Sequence, residues 1–268
     1  MSADNSNNTV TIIQITDSHL FQTADGRLLG MNTQDSLKEV IKKIQLDIDN
    51  VDLILATGDI SQDGSLRSYK EFARLVNGMG VSSYWLPGNH DEFRVMAQLF
   101  AGKTNLYKKI TTGNWQIIML NSTVPGKVFG QLSQAELNFL NTSLKNAERP
   151  NVLVCLHHHP VPVNSAWIDQ IGLRNAEVLF ETLANYDSVR AIACGHIHQE
   201  YDQVHDGIRV LASPSTCVQF SPGSETFQAD ESAPGYRVFR LGADGQIDTF
   251  VERVTHIDFE IDYSVKGY

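Results

Sequence analysis

Long hydrophobic runs are missing from this chain. No apolar stretch approaches the roughly 18–20 residues that a bilayer-spanning helix needs, so a membrane span is not expected. Cysteine is scarce. Cys155, Cys194 and Cys217 form an odd, widely spaced set that makes neither a disulfide framework nor a zinc knuckle. All three sit in apolar, strand-like runs and read as small buried residues. Positive charge is in deficit: 21 Lys+Arg stand against 31 Asp+Glu, a formal net charge of −10. That argues against nucleic-acid polymers and anionic membranes, which need a basic face. A single small anion can still bind, because a local site can oppose the global sign. Repeats, low-complexity tracts and charge blocks are absent. The polar start, MSADNSNNTV, lacks the basic and then apolar regions of a signal peptide, so the cytoplasm is the expected compartment.

What is present is an ordinary globular composition, 42% hydrophobic over 268 residues, enough for a sizeable core. Strand and helix signals alternate. Strands are expected at 9–16, 51–57, 81–86, 115–122, 151–156 and 189–194. A helix follows the first of these, with Leu37, Val40, Ile41, Ile44 and Ile48 on one face and Ser36 with Glu39 as a capping box at its start. Further helices are expected at 66–79, 133–146 (capped by Ser133 and Glu136) and 175–186. After these the helical signals stop, and GIRVLAS, GYRVFRL and QIDTFVERV read as antiparallel strands. The class is α/β, with layered sheets and helices outside. With no linker in view, residues 1–268 are expected to form one domain, the strands at about 207–255 completing a second sheet. The stretches 160–174 and 214–235 look like long loops.

The tight polar motifs come directly after strands: TDSH with Asp17 and His19, GD with Asp59, GNHD with Asn89, His90 and Asp91, HHHP with His157 to Pro160, and GHIH with His196 and His198. Ligands of open α/β sheets bind at the carboxyl ends of strands, so these distant motifs would meet on one rim. Seven of the nine histidines lie in them. Asp17 and His19, and likewise His196 and His198, would point to one side if their backbone were extended. Carboxylate, imidazole and amide oxygen without thiolate suit Mn, Fe or Zn. Asp17, His19, Asp59, Asn89, one histidine of HHHP, His196 and His198 are too many ligands for one ion. Two ions about 3.5–4 Å apart would use them, one carboxylate bridging, and the pocket would become electropositive in an acidic protein. That suits a phosphate ester.

In this order the motifs resemble the five-block signature of the calcineurin-like metallophosphoesterase superfamily, over about residues 10–215. The resemblance implies a four-layer αββα sandwich of two mixed sheets flanked by helices. It implies that one metal takes Asp17, His19, Asp59 and His198, and the other Asp59, Asn89, His158 and His196. His158 is chosen because it stands two residues before the proline, with His157 and His159 as alternatives. His19, Asp59, Asn89, His90, His158 and His198 would face the substrate. His90 would stabilise the phosphoryl group or protonate the leaving oxygen, with Asp63 orienting it, and Asp91 would hold the turn. ITDSHLF, LHHHPVP, WIDQIGLRN, CGHIHQ and SPSTCVQF are similar to the bacterial class III 3′,5′-cyclic AMP phosphodiesterases of the CpdA type. That narrower resemblance implies hydrolysis of cyclic AMP to 5′-AMP through a metal-bridging hydroxide, with Fe or Mn (Zn or Co also fit). The expected partner is a small cyclic nucleotide, with neither nucleic-acid polymer nor membrane, and the chain is expected as a monomer or homodimer. Trp167 or Phe220 could stack on a base, and Arg174 or Asn175 could touch the nucleotide, though packing explains each as well. Other phosphodiesters, such as glycerophosphodiesters and 2′,3′-cyclic nucleotides, or phosphomonoesters are the competing substrates. A non-catalytic scaffold on the same fold is the remote alternative.

Overall fold

The computed structural model describes residues 9–265 and 267; the polar start, residues 1–8, lies outside the described residues. In chain order the elements are β1 (Val10–Ile15), β2 (Arg27–Leu28), β3 (Met31–Asn32), α1 (Thr33–Asp47), β4 (Leu53–Thr57), α2 (Leu66–Asn77), β5 (Ser82–Leu86), α3 (Phe93–Leu99), β6 (Lys109–Thr112), β7 (Trp115–Met119), α4 (Gln134–Lys145), β8 (Asn151–Cys155), α5 (Ala166–Asp169), α6 (Ala176–Leu183), β9 (Val189–Cys194), β10 (Tyr201–His205), β11 (Ile208–Ala212), β12 (Gln219–Phe220), β13 (Ala229–Asp230), β14 (Gly235–Leu241) and β15 (Ile247–Arg253).

Two mixed sheets dominate. One runs β15-β14-β1-β4-β5 and the other β10-β11-β9-β8-β7-β6. Strand alternation sorts the core into layers. Ile12, Leu53 and Leu55 of the first sheet face Trp115, Ile117, Leu153 and Ala191 of the second, forming the core between the sheets. Their neighbours Ile13, Ile15, Ile54 and Ala56 face outward onto Leu37, Val40 and Ile44 of α1 and Tyr69, Phe72 and Val76 of α2. On the far side, Val152, Val154 and Ile192 pack against Leu140 and Leu144 of α4 and Leu179 and Leu183 of α6. The result is the αββα sandwich. The strands near 207–255 do not complete one sheet together. β11 joins the six-stranded sheet, whereas β14 pairs antiparallel with β1 and β15 with β14.

Helix α1 is not capped by the expected box. Asn32 is its N-cap, its side-chain oxygen accepting from the Asp35 N–H at 2.9 Å. Ser36 lies inside the helix, and its hydroxyl donates to the Thr216 carbonyl at 2.7 Å. Ser133 does cap α4, accepting from the Glu136 N–H. The Glu136 carboxylate accepts instead from Lys108 Nζ and the Asn121 N–H.

The parallel strands β1, β4 and β5 of one sheet and β7, β8 and β9 of the other end on a common edge. A buried polar seam closes it. Gln14 Nε2 donates to Thr57 Oγ1 at 2.8 Å and to the Cys194 carbonyl at 2.9 Å, tying one sheet to the other just beneath the loops.

Candidate metal centre

Those loops carry every motif singled out from the sequence. Asp17 and His19 follow β1, Asp59 follows β4, Asn89 and His90 follow β5, His157 to His159 follow β8, and His196 and His198 follow β9. Asp17, His19, Asp59, His157, His158 and His198 are buried, and His196 is only 4% exposed. Three groups of donors lie within 4.8 Å of one another and share members: Asp17, His19 and His198; Asp17, Asp59 and His157; His157, His158 and His196. A fourth, His19, Asp59 and His90, overlaps them through Asp59. The donors therefore form one continuous cluster, not separate pairs.

The extended-strand explanation for the aspartate–histidine pairing does not hold. Asp17, His19, Asp59, His196 and His198 all have positive φ, between 46° and 70°. Non-glycine residues adopt that left-handed conformation at a cost, and it concentrates where function over-determines the backbone. At Asp17 and His19, backbone and hydroxyl groups of neighbouring loops hold it. The Asp17 N–H donates to the Gly58 carbonyl at 3.0 Å, the His19 N–H to the Asp59 carbonyl at 2.9 Å, and Ser215 Oγ to the Asp17 carbonyl at 2.7 Å. Glycines let the loops close up: at Gly88 an added Cβ would lie 2.1 Å from Asp59 Oδ1.

Ring orientation follows one pattern. His19 Nδ1 is 2.6 Å from Gln62 Oε1, His198 Nδ1 is 2.6 Å from the Val218 carbonyl, and His157 Nδ1 is 2.8 Å from the Thr57 carbonyl. These partners only accept, so each Nδ1 carries the hydrogen and each Nε2 points inward. There, His198 Nε2 lies 3.4 Å from Asp17 Oδ1 and His157 Nε2 lies 3.2 Å from Asp59 Oδ2. His196 Nε2 is held by the Ile171 carbonyl at 3.2 Å, which leaves Nδ1 for the cluster.

The cluster fits metal ions on its own geometry. His19 Nε2 and His198 Nε2 face each other at 3.2 Å. With both Nδ1 hydrogens already donated, only a proton or a cation between them satisfies both. Asn89 Oδ1 is buried and has no hydrogen-bond partner among the described residues. An orphaned acceptor in a dry site needs an explanation, and a cation supplies one. The electrostatics agree. Burial lowers His19 to about 3, so it is neutral, the form that binds metal. Burial also drives His158 and His196 well down. His157 is the exception: burial works against its charged form, but the Asp59 and Asp17 carboxylates outweigh it and raise it to about 9, so a proton, or a cation in its place, sits between Nε2 and Asp59. Burial raises Asp17 and Asp59, yet the surrounding imidazoles more than compensate and hold both carboxyls below their usual range.

The triple histidine divides its roles. His157 faces both carboxylates. His158, the residue picked from its spacing to the proline, has Nδ1 2.8 Å from Ser122 Oγ and Nε2 3.2 Å from the Val128 carbonyl. The His159 ring stacks on His196, and its Nε2 lies 3.7 Å from Asp169 Oδ1. Asp63 is not given over to His90: its carboxylate accepts from the Gln22 N–H, the Ser65 N–H and Ser61 Oγ, fastening its own loop. The His90 N–H donates to Asp59 Oδ1 at 2.8 Å, and its ring meets His19 edge-on at 5.0 Å. Asp91 accepts from the Gly88, Ile60 and Ser61 N–H groups and so holds the turn.

The residues considered for the base are engaged in packing. Phe220 is buried and stacks flat on His198, at 4.0 Å and 12°. Trp167 packs edge-on against Phe220 and Phe227. Asn175 bonds both backbone groups of Leu132, and the Arg174 guanidinium lies 3.3 Å from the centre of the Phe129 ring. Sequence reasoning missed the outer supports Gln62, Ser122 and Ser215. The one signal available was that each is polar beside a motif or within a strand-end turn.

Residues 10–200 match the family described as calcineurin-like phosphoesterase, and the chain belongs to that family. It is 46% identical to the 3′,5′-cyclic adenosine monophosphate phosphodiesterase CpdA of Pseudomonas aeruginosa, across 97% of this chain and 95% of that protein. It is 42% identical to the CpdA of Escherichia coli (strain K12), again across 97% and 95%. Among solved structures, a dimetal phosphatase from Danio rerio superposes with a TM-score of 0.65 at 15% identity, covering 92% of this chain and 99% of that one. That likeness concerns the fold.

Proposed function

We propose that this protein hydrolyses 3′,5′-cyclic AMP to 5′-AMP at a dinuclear metal centre. The observation that carries the substrate is the 46% identity with a named cyclic AMP phosphodiesterase over nearly the whole of both chains. The buried donor cluster supports the chemistry. In this reading Asp17, His19, Asp59 and His198 hold one ion, and Asp59, Asn89, His157 and His196 the other. His157 replaces His158 because its Nε2 faces Asp59, whereas both nitrogens of His158 have oxygen partners. Oxygen and imidazole donors suit iron or manganese, with zinc and cobalt acceptable. When bound, such ions supply Lewis acidity toward the phosphate oxygens and an acidified water at neutral pH.

The chain's own residues do the rest. The left-handed turns fix the donors before substrate arrives, so little reorganisation is left for the reaction. Burial excludes bulk water from the donor cluster. Hydrolysis breaks the P–O3′ bond, adds the hydroxyl of water to phosphorus and returns a proton to O3′. His90 is half-buried at the edge of the cluster and is the residue we assign to deliver that proton. The working compartment in this reading is the cytoplasm, and the three buried cysteines, none in a disulfide, are compatible with a reducing environment. The donor cluster itself does not select a base, and Phe220 is buried against His198. Other phosphate esters are therefore the competing outcomes.

The test is steady-state hydrolysis with Mn²⁺ or Fe²⁺ of 3′,5′-cyclic AMP, 3′,5′-cyclic GMP, 2′,3′-cyclic AMP, glycerophosphoethanolamine and p-nitrophenyl phosphate, with Asn89→Ala as control. A preference for 3′,5′-cyclic AMP that disappears in Asn89→Ala is expected. Equal or better rates on the other esters would overturn the substrate while leaving the metal centre standing.

A further inference from the structure

We infer that Gln62 is a positioning residue that sets the tautomer and aim of His19 toward one ion. The inference rests on the dinuclear reading above. Of the three histidines whose Nδ1 meets an oxygen that can only accept, His157 and His198 lean on main-chain carbonyls. His19 leans on a side chain, the Gln62 amide oxygen, at 2.6 Å. A backbone carbonyl cannot be removed by substitution, but this one acceptor can.

Gln62 does not reach His19 by chance. The Leu20 N–H donates to the Ile60 carbonyl and the Gln62 N–H to the Leu20 carbonyl, both at 2.9 Å. Leu20 and Ser61 form a parallel bridge. Asp63 Oδ2 then accepts from the Gln22 N–H at 2.8 Å. The segment after Asp59 is thus zipped to the segment after Asp17, and Gln62 sits in the zipper with its side chain directed at the ring. Because the amide oxygen can only accept, Nδ1 must carry the hydrogen and Nε2 must present its lone pair. That lone pair lies 3.9 Å from Asp59 Oδ2 and 4.0 Å from Asp17 Oδ1, among the donors of the ion shared with His198. Without the amide, His19 could turn or switch tautomer and present an N–H where a ligand is needed.

The experiment is a Mn²⁺ titration of the full-length protein after chelator stripping, followed by calorimetry and by electron paramagnetic resonance of the spin-coupled pair. Wild type is expected to bind two ions. Gln62→Leu, of similar size, should weaken one of the two by roughly 10- to 100-fold, the usual effect of losing an outer partner of a metal-ligating histidine, and the coupled signal should fade accordingly. Gln62→Glu, which keeps an acceptor at the same place, should restore both. Thermal unfolding of the stripped variants checks that each folds. Wild-type affinity at both sites in Gln62→Leu would overturn the inference while leaving the dinuclear reading intact. Fewer than two ions in wild type would overturn that reading and the inference with it. If Gln62→Leu fails to fold, Gln62→Glu decides: two sites at wild-type affinity or tighter support the role, and the loss of one site in a folded protein overturns it.

Discussion

His157 is pinned to Thr57 across the seam between the two sheets: its Nδ1 lies 2.8 Å from the Thr57 carbonyl, and the opposite nitrogen faces Asp59. His158, one residue on, is pinned to Ser122. The two adjacent histidines should therefore respond differently. His157→Ala should lose one bound ion per chain and reduce kcat/KM by more than the ~10–100-fold typical of an outer partner. His158→Ala should keep both ions and fall within that range. Metal content by mass spectrometry, measured alongside kinetics, checks this, and the reverse order would restore His158 as the ligand.

Gly88 leaves no room for a methyl group. A Cβ there would lie 2.1 Å from Asp59 Oδ1 and 2.4 Å from the Asp59 backbone nitrogen. Asp59 is the carboxylate assigned to both ions, so Gly88→Ala should disturb both together. A displacement of about 1 Å at a reacting centre costs on the order of 100-fold in rate, and the variant should show at least that. A variant with normal metal content and normal rate would mean that Asp59 is not shared.

Asp63 should matter for stability more than for catalysis. Burial raises its carboxyl, but hydrogen bonds from Ser65, Gln22 and Ser61 outweigh this and hold it below the usual range. A lowered folded-state value means that the stabilisation is fully present above the unfolded pKa of about 3.9 and is lost as pH falls through the folded value. The side chain is largely exposed, so the gain is modest, about 0.5–1 kcal/mol. The difference in urea stability between wild type and Asp63→Asn should be constant from neutral pH down to about 5 and shrink below about 4. The pH–rate profile should keep its shape in the variant. A lost basic or acidic limb would reinstate an Asp63–His90 pair.

Phe220 backs His198, and it is expected to leave base selectivity unchanged. Phe220→Ala removes a buried ring that stacks on His198 and should cost roughly 3–5 kcal/mol of stability, read by chemical denaturation. The ratio of kcat/KM for cyclic AMP over cyclic GMP should stay at its wild-type value. A collapse of that ratio would assign the ring to base recognition.

Short-range rules made the α/β alternation and the order of the motifs legible, whereas the four-layer sandwich was implied by the family resemblance. GYRVFRL was readable as a strand and is β14 from Gly235 to Leu241, since a short aromatic and aliphatic run between turn residues suffices there. The edge strand β10, YDQVH, carries mostly exposed residues and gives no apolar pattern, so it went unread. Ser36 and Glu39 satisfy a capping rule, yet Asn32 caps the helix, because Ser36 is claimed by Thr216 from 180 residues away. The three histidines after β8 are identical letters. What separates them is supplied by Thr57, Ser122 and Asp169 from other segments, and no local pattern contains that. The left-handed backbone at Asp17 and His19 was hidden for the same reason, since the hydrogen bonds that hold it come from the loop after β4.

Each sheet contributes only part of the proposed ligand set. Asp17, His19, Asp59 and Asn89 follow strands of one sheet, and the histidines 157, 196 and 198 follow strands of the other. His19 and His198 meet across 179 residues of chain. Neither half can assemble the centre alone, so in the proposed reading ion capture comes late on the folding path, after the slow, non-local docking of the two sheets. Ions in solution would then hold the finished fold closed by mass action without helping to nucleate it. Chelators should accelerate global unfolding while leaving the refolding rate of the stripped chain almost untouched.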